Sequence, residues 1–138
     1  MFERTTFGRT LDILERSMQV ASVRRDVIAN NLANAGTPNF KRSSISFEAQ
    51  LGRALASEQE PVIPVKTADP RHVDPFRLRD YQAVQPRRTL DYLSQSDNNG
   101  NNVDYDQEVG DALKNQMRYE SMAAAVGFEF GQIKKVLS

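Results

Sequence analysis

Ile28-Ala29-Asn30-Asn31-Leu32-Ala33-Asn34-Ala35-Gly36-Thr37-Pro38-Asn39-Phe40-Lys41-Arg42 is the stretch on which the reading of the chain turns. Its first half continues the apolar rhythm of a helix, and its second half stops that helix. Gly36 followed by Pro38 predicts the stop. Glycine takes the left-handed conformation that closes a helix C-terminus, and a proline just beyond cannot extend it. Gly36 is therefore expected at φ > 0, with Thr37, Pro38 and Phe40 turning the chain away. Asn39 also tolerates positive φ. Asn30, Asn31 and Asn34 are unusual in a helix interior, because their amides compete for backbone groups. Three asparagines in five residues point to polar surfaces that must satisfy one another. A frayed helix end with leftover polar residues accounts for the same composition.

Upstream, Phe7, Leu11, Leu14, Met18, Ala21, Arg25, Ile28 and Leu32 alternate at spacings of four and three. This is a heptad seam with one defect, Arg25. The predicted helix runs from about Phe7 to Asn34, roughly 40 Å at 1.5 Å per residue. A second row, Ile13, Val20 and Val27, widens its apolar face, which suits a packed array better than a two-stranded coil.

The middle differs in composition. Ile45, Phe47 and Leu51 make a short amphipathic run, and a helical turn or two is predicted between Glu48 and Glu60. Prolines 61, 64, 70, 75 and 86 then break regular structure repeatedly. Residues 61–66 read as an extended edge segment and 69–72 as a turn. From Arg87 to Ser96 the chain is polar, with Leu90, Tyr92 and Leu93 as candidate anchors. Loops and at most a small hairpin are expected.

Asp97-Asn98-Asn99-Gly100-Asn101-Asn102 is a turn cluster that leads through Val103 into a second long helix. Asp104 is a suitable N-cap with Gln107 three residues on. Asp106 and Glu108 place negative charge in the first turn, and Lys134 and Lys135 positive charge in the last. Between them Val109, Ala112, Gln116, Tyr119, Ala123, Val126, Phe130, Ile133 and Leu137 alternate at three and four, over roughly 50 Å. The predicted fold is mainly α. Two long antiparallel terminal helices carry heptad seams, and a Pro-rich, loop-rich middle with little β structure joins them. The segments are 1–36, 37–102 and 103–138. Leu11, Leu14, Met18, Ile28 and Leu32 of the first helix are the expected packing interface, with Tyr119, Val126, Phe130, Ile133 and Leu137 of the second.

Composition narrows the chemistry. Eighteen basic residues balance eighteen acidic ones, which argues against binding to nucleic acid or membrane through bulk charge. There is no cysteine, so disulfides and thiolate metal sites are excluded. His72 is the single histidine and sits beside a turn, so a histidine relay lacks parts. The acidic residues from Asp104 to Asp111 do not match a calcium loop. Gly127 and Gly131 are spaced as in a membrane-helix contact, but Glu129 and Gln132 beside them favour close packing of soluble helices. No catalytic, metal or cofactor site is expected. The N-terminus lacks the apolar region of a cleaved signal peptide.

Ala29-Asn30-Asn31-Leu32-Ala33-Asn34 followed by Thr37-Pro38-Asn39-Phe40 resembles the N-terminal signature of bacterial flagellar rod and hook proteins. In that signature Gly-Tyr stands where this chain has Asn39-Phe40. Asn99-Gly100-Asn101-Asn102-Val103-Asp104, Asn115 through Tyr119, and Thr67 through His72 resemble segments of the proximal rod members of the family. Gly100, Val103 and Asp104 then mark entry to the C-terminal helix. The resemblance implies a structural subunit of the proximal rod of the flagellar basal body, which transmits torque from motor to hook. It implies export through the flagellar type III apparatus without a cleaved signal, and assembly in the periplasmic space. Implied partners are copies of itself, other rod proteins, and rod–ring adaptor and membrane-ring proteins. A soluble coiled-coil module presenting its central loop to a partner protein also accounts for the heptads, but not for the Asn-rich motif.

Overall fold

The computed structural model describes residues 6–59, 79–94 and 98–137. The expectations for the extended segment at 61–66, the turn at 69–72 and His72 lie outside the described residues. The element order is α1 (Thr6–Ala33), β1 (Ser43–Ser46), α2 (Glu48–Gln59), a single 3-10 turn (Tyr81–Ala83), β2 (Arg87–Leu90) and α3 (Tyr105–Leu137). The chain is mainly helical, and β1 pairs with β2 in a two-stranded sheet. Two compact units are present: Met1–Ile45 with Arg88–Ser138, and Ser46–Arg87.

In the first unit α1 and α3 run antiparallel. Asn31 meets Glu108 at 3.1 Å, Asn115 meets the Ala21 carbonyl at 2.8 Å, and the Phe7 ring stands edge-on to Phe130 at 6.2 Å. Positions rising along α1 therefore fall along α3. No proline interrupts α1, and Asp12–Arg16 at 3.5 Å and Glu15–Gln19 at 3.3 Å pair one turn apart on its surface. Val20, Ala21, Val27 and Ile28 of α1 are buried, as is Val103 just before α3. Burying each of the larger ones is worth about 1.5–3 kcal/mol. Arg25, the defect in the seam, is exposed and pairs with its neighbour Asp26 at 3.7 Å, a contact of little worth in water.

The register of α3 differs from the predicted seam. Val109, Gln116, Ala123, Phe130 and Leu137, which share one heptad position, are all exposed. Their preceding neighbours Glu108, Asn115, Met122 and Glu129 are buried or half-buried. One residue is about 100° of rotation. Hydrophobic periodicity selected the wrong row because the covered row is largely polar.

The second unit corrects the expectation for the middle. α2 is a 12-residue helix, longer than a turn or two. Phe47, Leu51 and Ala54 are buried and recur at i, i+4 and i+7, one helical face. The 3-10 turn packs on α2, and Arg79 N donates to Ser57 Oγ at 3.2 Å. In the first unit Leu90, Tyr92 and Leu93, expected as anchors, are exposed. No helix among the described residues is long and apolar enough to cross a membrane.

Candidate functional site: a polar clasp

α1 ends without a left-handed glycine. Gly36 does not have positive φ; Asn39 (φ 60°) and Gly100 (φ 80°) do. The last turn of α1 tightens instead, with Ala35 N donating to Leu32 O at 3.2 Å and Asn34 Nδ2 to Asn30 O at 2.8 Å. The carbonyls beyond are satisfied from the other side of the unit. Asn101 Nδ2 shares its two hydrogens among the carbonyls of Asn34, Ala35 and Thr37 at 2.8–2.9 Å. A distant amide thus does the work expected of Gly36.

Asn101 belongs to the loop that precedes α3, and the two loops are laced together. Asn39 N donates to Asn99 O at 3.1 Å, and Lys41 Nζ to Gly100 O at 2.8 Å. Arg42 N donates to Asn102 Oδ1 at 2.6 Å. At Gly100 an added Cβ would lie 2.6 Å from Asn39 Oδ1, so this glycine is needed both for its φ and for the close approach. Asn101 Oδ1 accepts from Val103 N at 2.7 Å, and Asp104 Oδ1 caps α3 by accepting from Gln107 N at 3.1 Å.

Behind the loops sits a buried charge. The Glu108 side chain is 0% exposed; its Oε1 accepts from Arg42 Nε and its Oε2 from Asn31 Nδ2. Arg42 Nη2 also pairs with Asp111 at 3.1 Å, and Lys114 reaches Asp111 at 3.4 Å. Asn31 is fully buried. Its Oδ1 accepts from Ser43 N at 3.1 Å and its Nδ2 donates to Ser43 O at 2.8 Å, replacing a strand partner for one residue. Every buried polar side chain of this clasp has a partner, which is the condition for burial without a large penalty.

The predicted residues divide as follows. Asn31, Gly100, Val103 and Asp104 fall in the clasp, and Asn34, Thr37 and Asn30 contribute carbonyls to it or to the turn beside it. Gly36, Pro38 and Phe40 form the turn but reach no clasp side chain through a hydrogen bond from their own side chains. Leu11, Leu14, Met18 and Leu32 are half-buried and Ile28 is buried. Val126 and Ile133 are half-buried, whereas Tyr119, Phe130 and Leu137 are exposed. Sequence reasoning missed Arg42, Ser43, Asn101, Asn102 and Glu108 as a cluster. The one signal was an asparagine-rich loop before α3 matching an asparagine-rich end of α1. From sequence alone Glu108 complements the helix dipole, and nothing local sets Arg42 apart from the other basic residues. The clasp offers no open position for a substrate; its groups are consumed by one another.

Residues 11–41 match the family model described as flagella basal body rod protein. The chain is 41% identical over 131 residues to the flagellar basal body rod protein FlgB of Borreliella burgdorferi, which covers 95% of this chain and 97% of that protein. It is 32% identical to FlgB of Bacillus subtilis strain 168, over 96% of this chain and 95% of the relative. With FlgB of Aquifex aeolicus identity is 30%, over 82% of this chain and 80% of the relative.

Proposed function

The chain belongs to the FlgB family of flagellar basal body rod proteins, a family of structural subunits, and from that premise we propose how it builds the rod. The clasp fixes α1 and α3 as one hairpin, and the uncovered side of α3 packs on neighbours in a coiled-coil-like manner along its predicted heptad row. The observation that carries this reading is the exposure of Phe130 (56%) and Leu137 (81%), two turns apart on that row, on a helix whose other face is already occupied. The neighbours are copies of this chain and other rod proteins of the proximal rod. Rod–ring adaptor and membrane-ring proteins lie at its base. The subunit leaves the cytoplasm through the flagellar export apparatus without a cleaved signal, assembles in the periplasm, and passes torque from motor to hook. The segments 1–36 and 103–138 form the rod core, and 37–102 is an insertion carried on it.

Ile133→Asp tests the packing. Expression and export are expected to be normal while incorporation into basal bodies is lost, since the main cost arises where neighbours cover the helix. Purified basal bodies holding the variant at wild-type abundance would show that this face meets no neighbour.

A further inference from the structure

We propose that Asn99 is a site of spontaneous covalent modification, and that the closed clasp protects it. Asparagine is chemically labile because its side-chain amide can be attacked by the main-chain nitrogen of the next residue. A side chain on that next residue obstructs the approach, and glycine has none. Of all the asparagines in the chain only Asn99 precedes a glycine, and Asn99 is exposed to water. In the first step Gly100 N bonds to Asn99 Cγ and the Cγ–Nδ2 bond breaks. Ammonia leaves with the proton that Gly100 N gives up, and a cyclic imide remains. Water then opens the ring. Attack at Cγ restores the original main chain and leaves aspartate. Attack at the main-chain carbonyl carbon reroutes the chain through Cγ and leaves isoaspartate, with one more carbon in the backbone. One water enters, one ammonia departs, and no oxidant or reductant is needed.

The closed clasp opposes each movement the ring requires. The side chain must swing free, but Asn99 Oδ1 is held by Asn101 N at 3.0 Å. The peptide between Asn99 and Gly100 must turn, but it is pinned on both sides. Asn99 O accepts from Asn39 N at 3.1 Å, and Gly100 O accepts from Lys41 Nζ at 2.8 Å. Gly100 has no room to shift towards Asn39, since even a Cβ there would lie 2.6 Å from Asn39 Oδ1. Exposure supplies the water while the fold withholds the geometry. Asn39 and Lys41 follow α1, whereas residues 99–101 precede α3, so the restraint exists only when the two loops are laced. Reaction then proceeds from the opened chain, at a rate set by how much of it is open. The outcome runs one way. In isoaspartate the carbonyl that accepted from Asn39 N has become a free carboxylate, no longer joined to Gly100. The added carbon also moves Gly100 out of its fit against Asn39. A chain that ages while open cannot lock again.

The purified full chain tests this directly. It is kept near neutral pH, once folded and once in urea, in water enriched in heavy oxygen, and the peptide holding Asn99 is followed by mass spectrometry. In urea Asn99 is expected to convert to labelled acid faster than any other asparagine, and at least about tenfold faster than in the folded chain. Arg42→Ala, which weakens the clasp, should raise the rate without urea by at least about tenfold. No conversion at Asn99 in urea, or conversion no faster than at another asparagine, overturns the site. Equal rates with and without urea, or a wild-type rate in Arg42→Ala, overturn protection by the clasp. The same samples test the lockout. Chain aged in urea and returned to buffer should lose its cooperative unfolding transition in proportion to its isoaspartate content. Asn99→Gln, whose longer side chain closes such a ring far more slowly, should refold as fully when aged as when fresh. Full refolding of isoaspartate-rich chain, or equal loss in aged Asn99→Gln, overturns the lockout.

Discussion

Near the start of α3 the buried side chains are Glu108 and Asn115; near its end the exposed ones are Phe128, Phe130, Val136 and Leu137. The same helix buries polar residues on the side that meets α1 and shows apolar ones on its open side, from Tyr105, Val109, Leu113 and Met117 near the start to these four near the end. The two sides solve different problems. Hydrogen bonds and ion pairs demand distance and angle, so the clasp tolerates one register of α1 against α3. Apolar contact is non-directional and grows with area, so the open side is free to meet any surface that fits it. A part that must first become one definite shape and then stick to neighbours has use for both.

The clasp can be broken hardest at Arg42. Arg42→Ala leaves Glu108 buried without a cation, at a cost of roughly 3–5 kcal/mol. The expected result is a large drop in the urea midpoint with unchanged slope. Glu108→Gln should cost markedly less, since Arg42 is partly solvated and keeps Asp111 at 3.1 Å. Equal losses for the two would mean that burial of the carboxylate is not what makes the pair matter.

Asn101 comes next. Asn101→Ala strands the carbonyls of Asn34, Ala35 and Thr37, an expected loss of about 1–3 kcal/mol. Asn101→Asp should be worse than alanine, because a carboxylate would face three carbonyl oxygens. If aspartate proves as stable as asparagine by thermal unfolding, the amide is not the cap.

Gly100 and Gly36 sharpen the contrast between a required glycine and a permitted one. Gly100→Ala meets Asn39 Oδ1 and holds positive φ, with an expected cost of about 1–2 kcal/mol. Gly36→Ala meets open space without positive φ, so it should be neutral or stabilise by up to about 1 kcal/mol. The reverse order of melting temperatures would return the helix stop to Gly36.

The smallest expected effect concerns the loop that Asp91 holds, where its carboxylate accepts from Leu93 N, Ser94 N and Ser94 Oγ. The Ser94 hydroxyl, then the Ser94 and Leu93 amides, hold the Asp91 carboxyl below its usual value of 3.8. A carboxyl depressed by folding contributes stability above that value and loses it as pH falls through the folded pKa. Amide exchange at Leu93 and Ser94 should therefore be unchanged from neutrality down to pH 4 and quicken, after correction for intrinsic rates, only below 3.8. Quickening already near pH 6 would mean that another group orders the loop.

Much of this architecture was legible in the sequence, for reasons that also mark where legibility ended. Apolar spacing located α1 and α3, because helices this long repeat their signal many times. It misplaced the face of α3 by one residue, since Glu108 and Asn115 occupy covered positions by pairing with Arg42, Asn31 and the Ala21 carbonyl. The asparagines of the first motif correctly suggested mutual satisfaction of polar surfaces, and Asn31 is the one at its centre. Their partners were not legible, because Asn101 and Glu108 lie more than sixty positions away and nothing local marks them. Gly36 misled because glycine before proline signals a stop without saying how the carbonyls are capped.

The clasp also sets an order of events in time. Asn31 and Glu108 are 77 positions apart, and Arg42 and Glu108 are 66 apart. Contacts at such separation wait on closure of a long loop, and chains rich in them fold slowly. A chain emerging N-terminus first presents α1 complete, with Asn31 and Arg42 in place, well before their partners exist. The hairpin can lock only after the start of α3 has followed. Until then the subunit remains an open thread, and the last lock to close is the one that turns it into a building block.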